Sequence, residues 1–161
     1  MMTTRVGIGF DAHAFQYGGT LTLAGVDIPY QKSLIGHSDG DVVVHSIIDA
    51  LLGASNLGNK GQHFPASNTK LKGISSLVML EKIGGLLFNA GWQVVNIDAT
   101  ILAQKPQLEQ FFKLMANRIS LTLKIQESTV NIKATTTDHM GFIGREEGIA
   151  TYAVALIKSK L

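Results

Sequence analysis

The sequence predicts an α+β fold in which helices cover one face of a sheet, and three observations carry that reading. Residues 92–104 alternate strictly, with Val95, Ile97, Ala99, Ile101 and Ala103 on one side and Asn96, Asp98, Thr100 and Gln104 on the other, the period-two pattern of a strand with one buried face. Val44, Ile47, Ile48, Leu51 and Leu52 recur instead at helical spacing, which buries one side of a helix. The two kinds of element are segregated and joined by short crossovers, so the helices collect on one face of the sheet. The other face is left without cover, and oligomerisation is the expected remedy.

From the start of the chain, Val6, Ile8 and Phe10 alternate with Arg5, Gly7 and Gly9. They read as a strand burying its apolar row, with Asp11 and His13 at its end. Residues 21–30, marked by Gly18, Gly19, Gly25 and Pro29, read as a small peripheral hairpin. A helix is predicted from about Asp41 to Gly53. Ser38 stands three residues before Asp41 as a helix-start signature, Asp41 is read as a cap, and Asp49, one turn beyond His45, as a partner for that ring. Residues 56–73 are rich in Gly, Asn, Ser and Lys around one Phe64-Pro65 anchor, a long loop of the kind that is usually functional or mobile. A second helix over residues 74–89 contains Gly84-Gly85, which costs about 1 kcal/mol per glycine relative to alanine and points to close packing. After the strand over residues 92–104, Pro106 opens a helix that buries Leu108, Phe111, Phe112, Met115 and Ile119. Val130, Ile132 and Ala134 form another strand running into three threonines, and residues 149–157 form the last.

One domain over residues 1–161 is expected, enough chain to bury about two-thirds of its unfolded surface. A net charge of +2 with no basic run interleaved with aromatics excludes a nucleic-acid partner. With no cysteine there is no thiolate, so His, Asp and Glu must bind any transition metal. The first residues, MMTTRVGIGF, hold no apolar signal core, and no apolar run reaches the roughly 18 residues of a membrane span. A soluble, cytoplasmic protein is the expectation.

The candidate chemistry lies in HSDGDVVVH, residues 37–45, and in FDAHAF, residues 10–15. Asp11, His13 and His45 are a common zinc ligand set that leaves one coordination position open. The spacing fits equally a pair of hydrogen-bonded surface histidines. Thr135, Thr136, Thr137 and Asp138 place three hydroxyls and an acid past a strand end, where phosphate oxygens can be held. The same run also reads as a β-branched strand and a turn. Arg145 either forks a phosphate or pairs with Glu146 or Glu147.

Taken together, GFDAHAF, the run IPYQKSLIGHSDGDVVVHSIIDALLGASNLG, HFP, NIDATILAQKP and VNIKATTTDHMGFIGREEGIA resemble the 2-C-methyl-D-erythritol 2,4-cyclodiphosphate synthases, in that family's order and over nearly the whole chain. The resemblance implies a homotrimer of α+β subunits around a central hydrophobic cavity, with active sites between neighbours. It implies a phosphorus-oxygen lyase of the non-mevalonate isoprenoid route: the 2-phosphate of a cytidine-diphosphate methylerythritol attacks the β-phosphorus, closes a cyclic diphosphate and expels CMP. By the same resemblance Asp11, His13 and His45 hold Zn2+ or another divalent transition metal, with Ala12 beside them among the substrate contacts. His37 and Thr136 stabilise the transition state, and Ser38 joins His37 in binding substrate. Thr135, Thr136, Thr137 and Asp138 hold phosphate, Asp138 with Mg2+ or Mn2+. Ala103, Gln104, Lys105, Pro106, Gln107, Leu108 and Glu109 match the cytidine pocket. Asn59, Lys60, Gly61, Phe64, Pro65, Ala66, Ser67 and Asn68 match the ribose and methylerythritol contacts. Phe142 and Arg145 match positions near the central cavity, where an isoprenoid diphosphate would bind.

The chain departs from the family's common pattern at Asn59, Ala66 and Asn68, each where an Asp is common, at Gln107 in place of Lys, and at Asp138 in place of Glu. These changes bear on affinity and specificity. Two readings from other classes stand beside this one. A zinc phosphohydrolase would release free phosphate, and a non-catalytic trimer binding an isoprenoid diphosphate would have no need of Asp11, His13, His45 and Thr136.

Overall fold

The computed structural model describes residues 2–65 and 67–160. Its strands are β1 (Thr4–Tyr17), β2 (Leu21–Leu23), β3 (Val26–Ile28), β4 (Lys32–Leu34), β5 (Trp92–Leu102), β6 (Val130–Thr135) and β7 (Gly148–Ser159). Its helices are α1 (Val42–Ser55), α2 (Lys60–His63), α3 (Ser76–Asn89), α4 (Phe112–Leu123) and α5 (Gly141–Gly144). The main sheet has the order β4-β1-β7-β5-β6, and β2-β3 form a separate hairpin. β5 and β6 run parallel, and every other pair is antiparallel.

Helix α1 lies across β1 and β7, α3 packs on α1 and β5, and α4 packs on β6. Helices thus cover one face, and the core sits between the layers. Ile97, Ile101, Ala153 and Ile157 supply it from the sheet, and Ile47, Leu51, Ile83, Met115 and Ile119 from the helices. Burying each of the larger aliphatic chains contributes about 1.5–3 kcal/mol.

Strand β1 corrects the sequence reading in two ways. Its apolar row, Val6, Ile8 and Phe10, is not buried: these residues are 66%, 68% and 50% exposed. The row facing the helices is Gly7, Gly9, Asp11 and His13, because only glycine admits α1 at this distance. A Cβ on Gly9 would lie 1.8 Å from the Ser46 carbonyl oxygen, and one on Gly7 would lie 2.1 Å from that of Ala50. Alternation shows that two rows differ, but a glycine row reads as the polar side. Second, Asp11 and His13 stand inside the strand, opposite Thr151 and Ile149 of β7, since β1 continues past them to pair with β4. The uncovered face expected from the element order is therefore apolar: Val6, Ile8 and Phe10 lie beside Tyr152 and Val154, and the Phe10 and Tyr152 rings are 4.8 Å apart.

The hairpin over residues 21–30 is not peripheral, because Leu21, Leu23, Val26 and Ile28 are buried in the core. Its turn is tied to the start of α1 by one carboxylate. Asp41 accepts hydrogen bonds from the backbone N–H groups of Ala24 and Gly25 at 2.9 and 2.7 Å and caps α1 through those of Val43 and Val44, both at 3.1 Å. Strand β4 has no counterpart in the sequence reading, since three residues are too short to show a period. The loop over residues 56–73 contains α2 and a 3-10 turn, Thr69–Leu71. Pro106 does not open a helix: a 3-10 turn, Glu109–Phe111, intervenes before α4. Of the glycine pair in α3, Gly84 is packed, 3.1 Å from Leu123 by its notional Cβ, whereas Gly85 has no neighbour within 4 Å. No helix among the described residues is long and apolar enough to cross a membrane.

Candidate active site

The glycine row of β1 decides where the site forms. Because α1 rests on Gly7 and Gly9, the residue before Ser46 is carried over the continuation of that row. His45 Nδ1 lies 2.9 Å from Asp11 Oδ2, and His13 Nε2 lies 3.0 Å from the same oxygen. The three ligand atoms of Asp11, His13 and His45 fall within 4.8 Å of one another.

The far nitrogen of each ring sets what the near one offers. His13 Nδ1 donates to the Ile35 carbonyl, which can only accept. Ser76 Oγ donates to Asp39 Oδ1 and so accepts, at 2.9 Å, from His45 Nε2; Ser38 Oγ lies 2.9 Å from the same nitrogen. Each near nitrogen therefore faces Asp11 Oδ2 with a lone pair when its ring is neutral and with a second N–H when the ring is protonated; in the neutral state the three acceptor atoms are spaced to share a cation. Burial raises the Asp11 carboxyl, but hydrogen bonds from His13 and His45 and the charge of Lys60 outweigh it and hold the group well below the usual carboxylate range. The Asp11 hydrogen bond raises His13 above its ordinary 6.5, against the effect of burial. Two imidazoles and one carboxylate, few and geometrically free, fit a divalent transition metal with an open position.

Two expectations about neighbouring groups change, those for Asp49 and for Ser38. Asp49 does not orient His45; its carboxylate accepts from the Lys60 backbone N–H at 2.7 Å. The orienting acid is Asp39, acting through Ser76, whose own N–H reaches Asp39 Oδ2 at 2.8 Å. Ser38 does not cap α1. No sequence signal links Ser76 to His45, because the contact exists only where α3 packs on α1.

A cavity of about 240 Å3 opens beside the triad, lined by His13, His37, Ser38, His45, Lys60, Gly61 and Phe64 and walled by Leu71, Ile74 and Met79. Other residues of the predicted substrate run stand elsewhere. Asn59 caps α2, accepting from the Gln62 N–H at 3.1 Å, and Asn68 caps the next turn through the Lys70 N–H at 3.1 Å. Pro65 and Ser67 are exposed outside the cavity, Ala12 lies exposed on the alternate row of β1, and Ala66 lies outside the described residues.

A second cleft of about 830 Å3 is formed by Ala103, Gln104, Pro106, Gln107, Leu108, Glu109, Gln110 and Phe112 after β5, and by Lys133, Ala134, Thr135 and Thr136 at the end of β6. Of the predicted cytidine pocket only Lys105 falls outside it, 3.5 Å from Glu146. The sequence does not mark Gln110, Phe112, Lys133 or Ala134 as site residues, Phe112 being read only as core and Ala134 only as strand; Lys133 sits on the exposed row of β6, which its alternation with Val130 and Ile132 signals. Thr137 Oγ1 donates to the Met140 carbonyl at 2.6 Å. Asp138 is exposed at a left-handed φ of 49°, 3.5 Å from Thr136 Oγ1. Phe142 and Arg145 line neither cleft, and Arg145 forks onto Glu147 at 2.8 and 3.2 Å, the alternative to a phosphate fork.

The two clefts share no lining residue. β7 and β5 separate β1 from β6, about 14 Å at ordinary strand spacing. His37 and Thr136 consequently stand in different clefts of one chain.

A sheet and helix layer that holds an open site of two histidines and one carboxylate beside ligand-sized clefts defines the class of small metal-dependent enzymes. Within that class the chain belongs to the YgbB family, whose model matches residues 4–158. The 2-C-methyl-D-erythritol 2,4-cyclodiphosphate synthase of Syntrophomonas wolfei is 49% identical over 154 residues, covering 96% of this chain and 98% of its own length. That of Pseudomonas putida is 48% identical over 153 residues, covering 95% and 98%. Among solved structures, the bifunctional IspDF of Campylobacter jejuni matches with a TM-score of 0.95 at 40% identity, over 99% of this chain and 43% of that one. IspF of Plasmodium falciparum, solved as a CDP complex, matches with a TM-score of 0.86 at 32% identity, over 98% and 97%.

Proposed function

We propose that this chain, acting as one domain in the cytoplasm, converts 4-diphosphocytidyl-2-C-methyl-D-erythritol 2-phosphate to 2-C-methyl-D-erythritol 2,4-cyclodiphosphate with release of CMP, a step of non-mevalonate isoprenoid precursor synthesis. Membership of the family and the names of its relatives support the reaction. The observation that carries it is the convergence of Asp11, His13 and His45 on one point beside a cavity of about 240 Å3.

A bond forms between a 2-phosphate oxygen and the β-phosphorus while the bond from that phosphorus to the oxygen bridging the α-phosphorus breaks, and the electron pair leaves on CMP. No protein nucleophile takes part, so the protein contributes positioning and charge neutralisation. Asp11, His13 and His45 would hold zinc or another divalent transition metal, which would supply Lewis-acid charge to a phosphate oxygen. His37 and Ser38, on the wall of the triad cavity, hold the phosphate that attacks. Thr136, in the larger cleft, faces the departing side, and the loop from Ala103 to Glu109 holds cytidine. Asp138 would hold a magnesium or manganese ion, which would neutralise charge on the diphosphate and needs few protein ligands. Asp138→Asn is expected to raise the magnesium concentration needed for half-maximal rate while zinc content stays unchanged; an unaltered magnesium curve removes that role.

The active unit is a homotrimer. The exposed apolar row of Val6, Ile8, Phe10, Tyr152 and Val154 supports it, because closed rotational symmetry buries such a face. So does the separation of the clefts, which a neighbour's copy would bring together. Phe142 and Arg145 remain for the axial cavity and an isoprenoid diphosphate. Purified protein is tested by phosphorus NMR of the products: CMP with a cyclic diphosphate is expected, whereas CMP with an uncyclised 2,4-bisphosphate, or free phosphate with the cytidine diphosphate left intact, points to the hydrolase.

A further inference from the structure

We infer that Lys60 is a switched phosphate ligand, exchanged between Asp11 and the substrate's phosphates according to whether metal is bound. Its backbone is fixed at the start of α2, where its N–H donates to Asp49 at 2.7 Å and Asn59 and Gln62 form a reciprocal cap. The side chain enters the triad cavity, with Nζ 3.5 Å from Asp11 Oδ2. That oxygen is the one both His13 Nε2 and His45 Nδ1 face. A divalent ion held by the triad takes the same oxygen and repels the ammonium. Among the described residues the cavity lining holds no carboxylate, only histidine, serine, glycine and apolar side chains besides Lys60 itself, so it offers the ammonium no second charged partner. The displaced ammonium thus faces a half-open cleft in which an anion is its complementary occupant, and a phosphate or diphosphate group suits its three donors as a point charge.

Metal and anion binding are then linked. Metal frees Lys60 from Asp11, and a phosphate that engages Lys60 removes a competitor of the metal. The inference rests on the metal site proposed above. It is tested by zinc titration against a chromophoric chelator, with and without inorganic phosphate, on the wild type, Lys60→Met and Lys60→Arg. Without phosphate, Lys60→Met is expected to bind zinc at least about fivefold tighter than wild type, the lower end of ordinary couplings. Phosphate is expected to tighten zinc binding in the wild type and in Lys60→Arg, and far less in Lys60→Met. If Lys60 only anchors α2, Lys60→Met leaves zinc affinity unchanged or weaker and keeps the phosphate effect, and the inference is overturned. A wild type that takes up no zinc overturns the metal reading itself, which separates the two failures.

Discussion

At the scale of single residues, the ligand set depends on groups behind the rings. His45 presents Nδ1 because Ser76 and Ser38 occupy Nε2, and Ser76 can accept there because its proton is committed to Asp39. Partners of this kind, once removed, typically lower metal affinity 10–100-fold. Ser76→Ala leaves every proposed ligand in place, so zinc affinity is expected to fall by about tenfold or more while the fold is retained. A chelator titration that matches wild type would show that Ser38 alone fixes the ring. HSDGDVVVH made His45 a candidate, and nothing in it pointed to a serine thirty-one positions further on.

At the scale of elements, the contact between α1 and β1 carries both packing and placement. Gly9→Ala puts a methyl group 1.8 Å from the Ser46 carbonyl oxygen, a backbone atom that moves only with the helix. Overpacking of this kind costs about 1–3 kcal/mol, and His45, one residue away, moves with it. Calorimetry is expected to show a lower Tm and the chelator titration a weaker metal site in the same variant, whereas a structural effect alone would lower only the first. Between β5 and β6, Asp98 accepts from Lys133 at 2.5 Å and from Asn131 at 2.8 Å. Burial raises its pKa, but these two donors and the charge of Lys133 outweigh it and lower it from the ordinary 3.8. A carboxyl lowered in the folded state stabilises above pH 3.8 and loses that contribution as pH falls through its folded value. Urea unfolding should therefore find Asp98→Asn less stable than wild type at pH 7, by under about 1 kcal/mol for so exposed a pair, and level with it in strong acid.

At the scale of the whole molecule, the sheet has one face under helices and one apolar face in the open, and its two clefts share no lining residue, with β7 and β5 between the strands that carry them. If copies of the chain close over that face, a charge in its centre opposes assembly without disturbing the core beneath. Ile8 is 68% exposed, so Ile8→Lys is expected to leave the far-ultraviolet circular dichroism unchanged, shift light scattering from trimer to monomer, and abolish CMP release. An active monomer would mean that a single chain completes its own site.

Composition and period determined much of this protein by themselves. The absence of cysteine confined any transition-metal site to His, Asp and Glu. Strict alternation placed β5, and helical spacing placed α1 within a few residues, because both periods arise from local backbone geometry. The order of elements implied the open face. Only the tertiary structure decided which row of β1 meets the helices, since a glycine row is defined by what it lets approach and α1 is thirty residues away. It alone turned the hairpin over residues 21–30 into core, through the shared carboxylate of Asp41. It alone replaced Asp49 by Asp39 and Ser76 behind His45 and brought Lys60 to Asp11. Periodicity reports the face a residue occupies within its own element, whereas a site is made where side chains from β1, α1, α2 and α3 meet, and that meeting is set by how closely those elements pack.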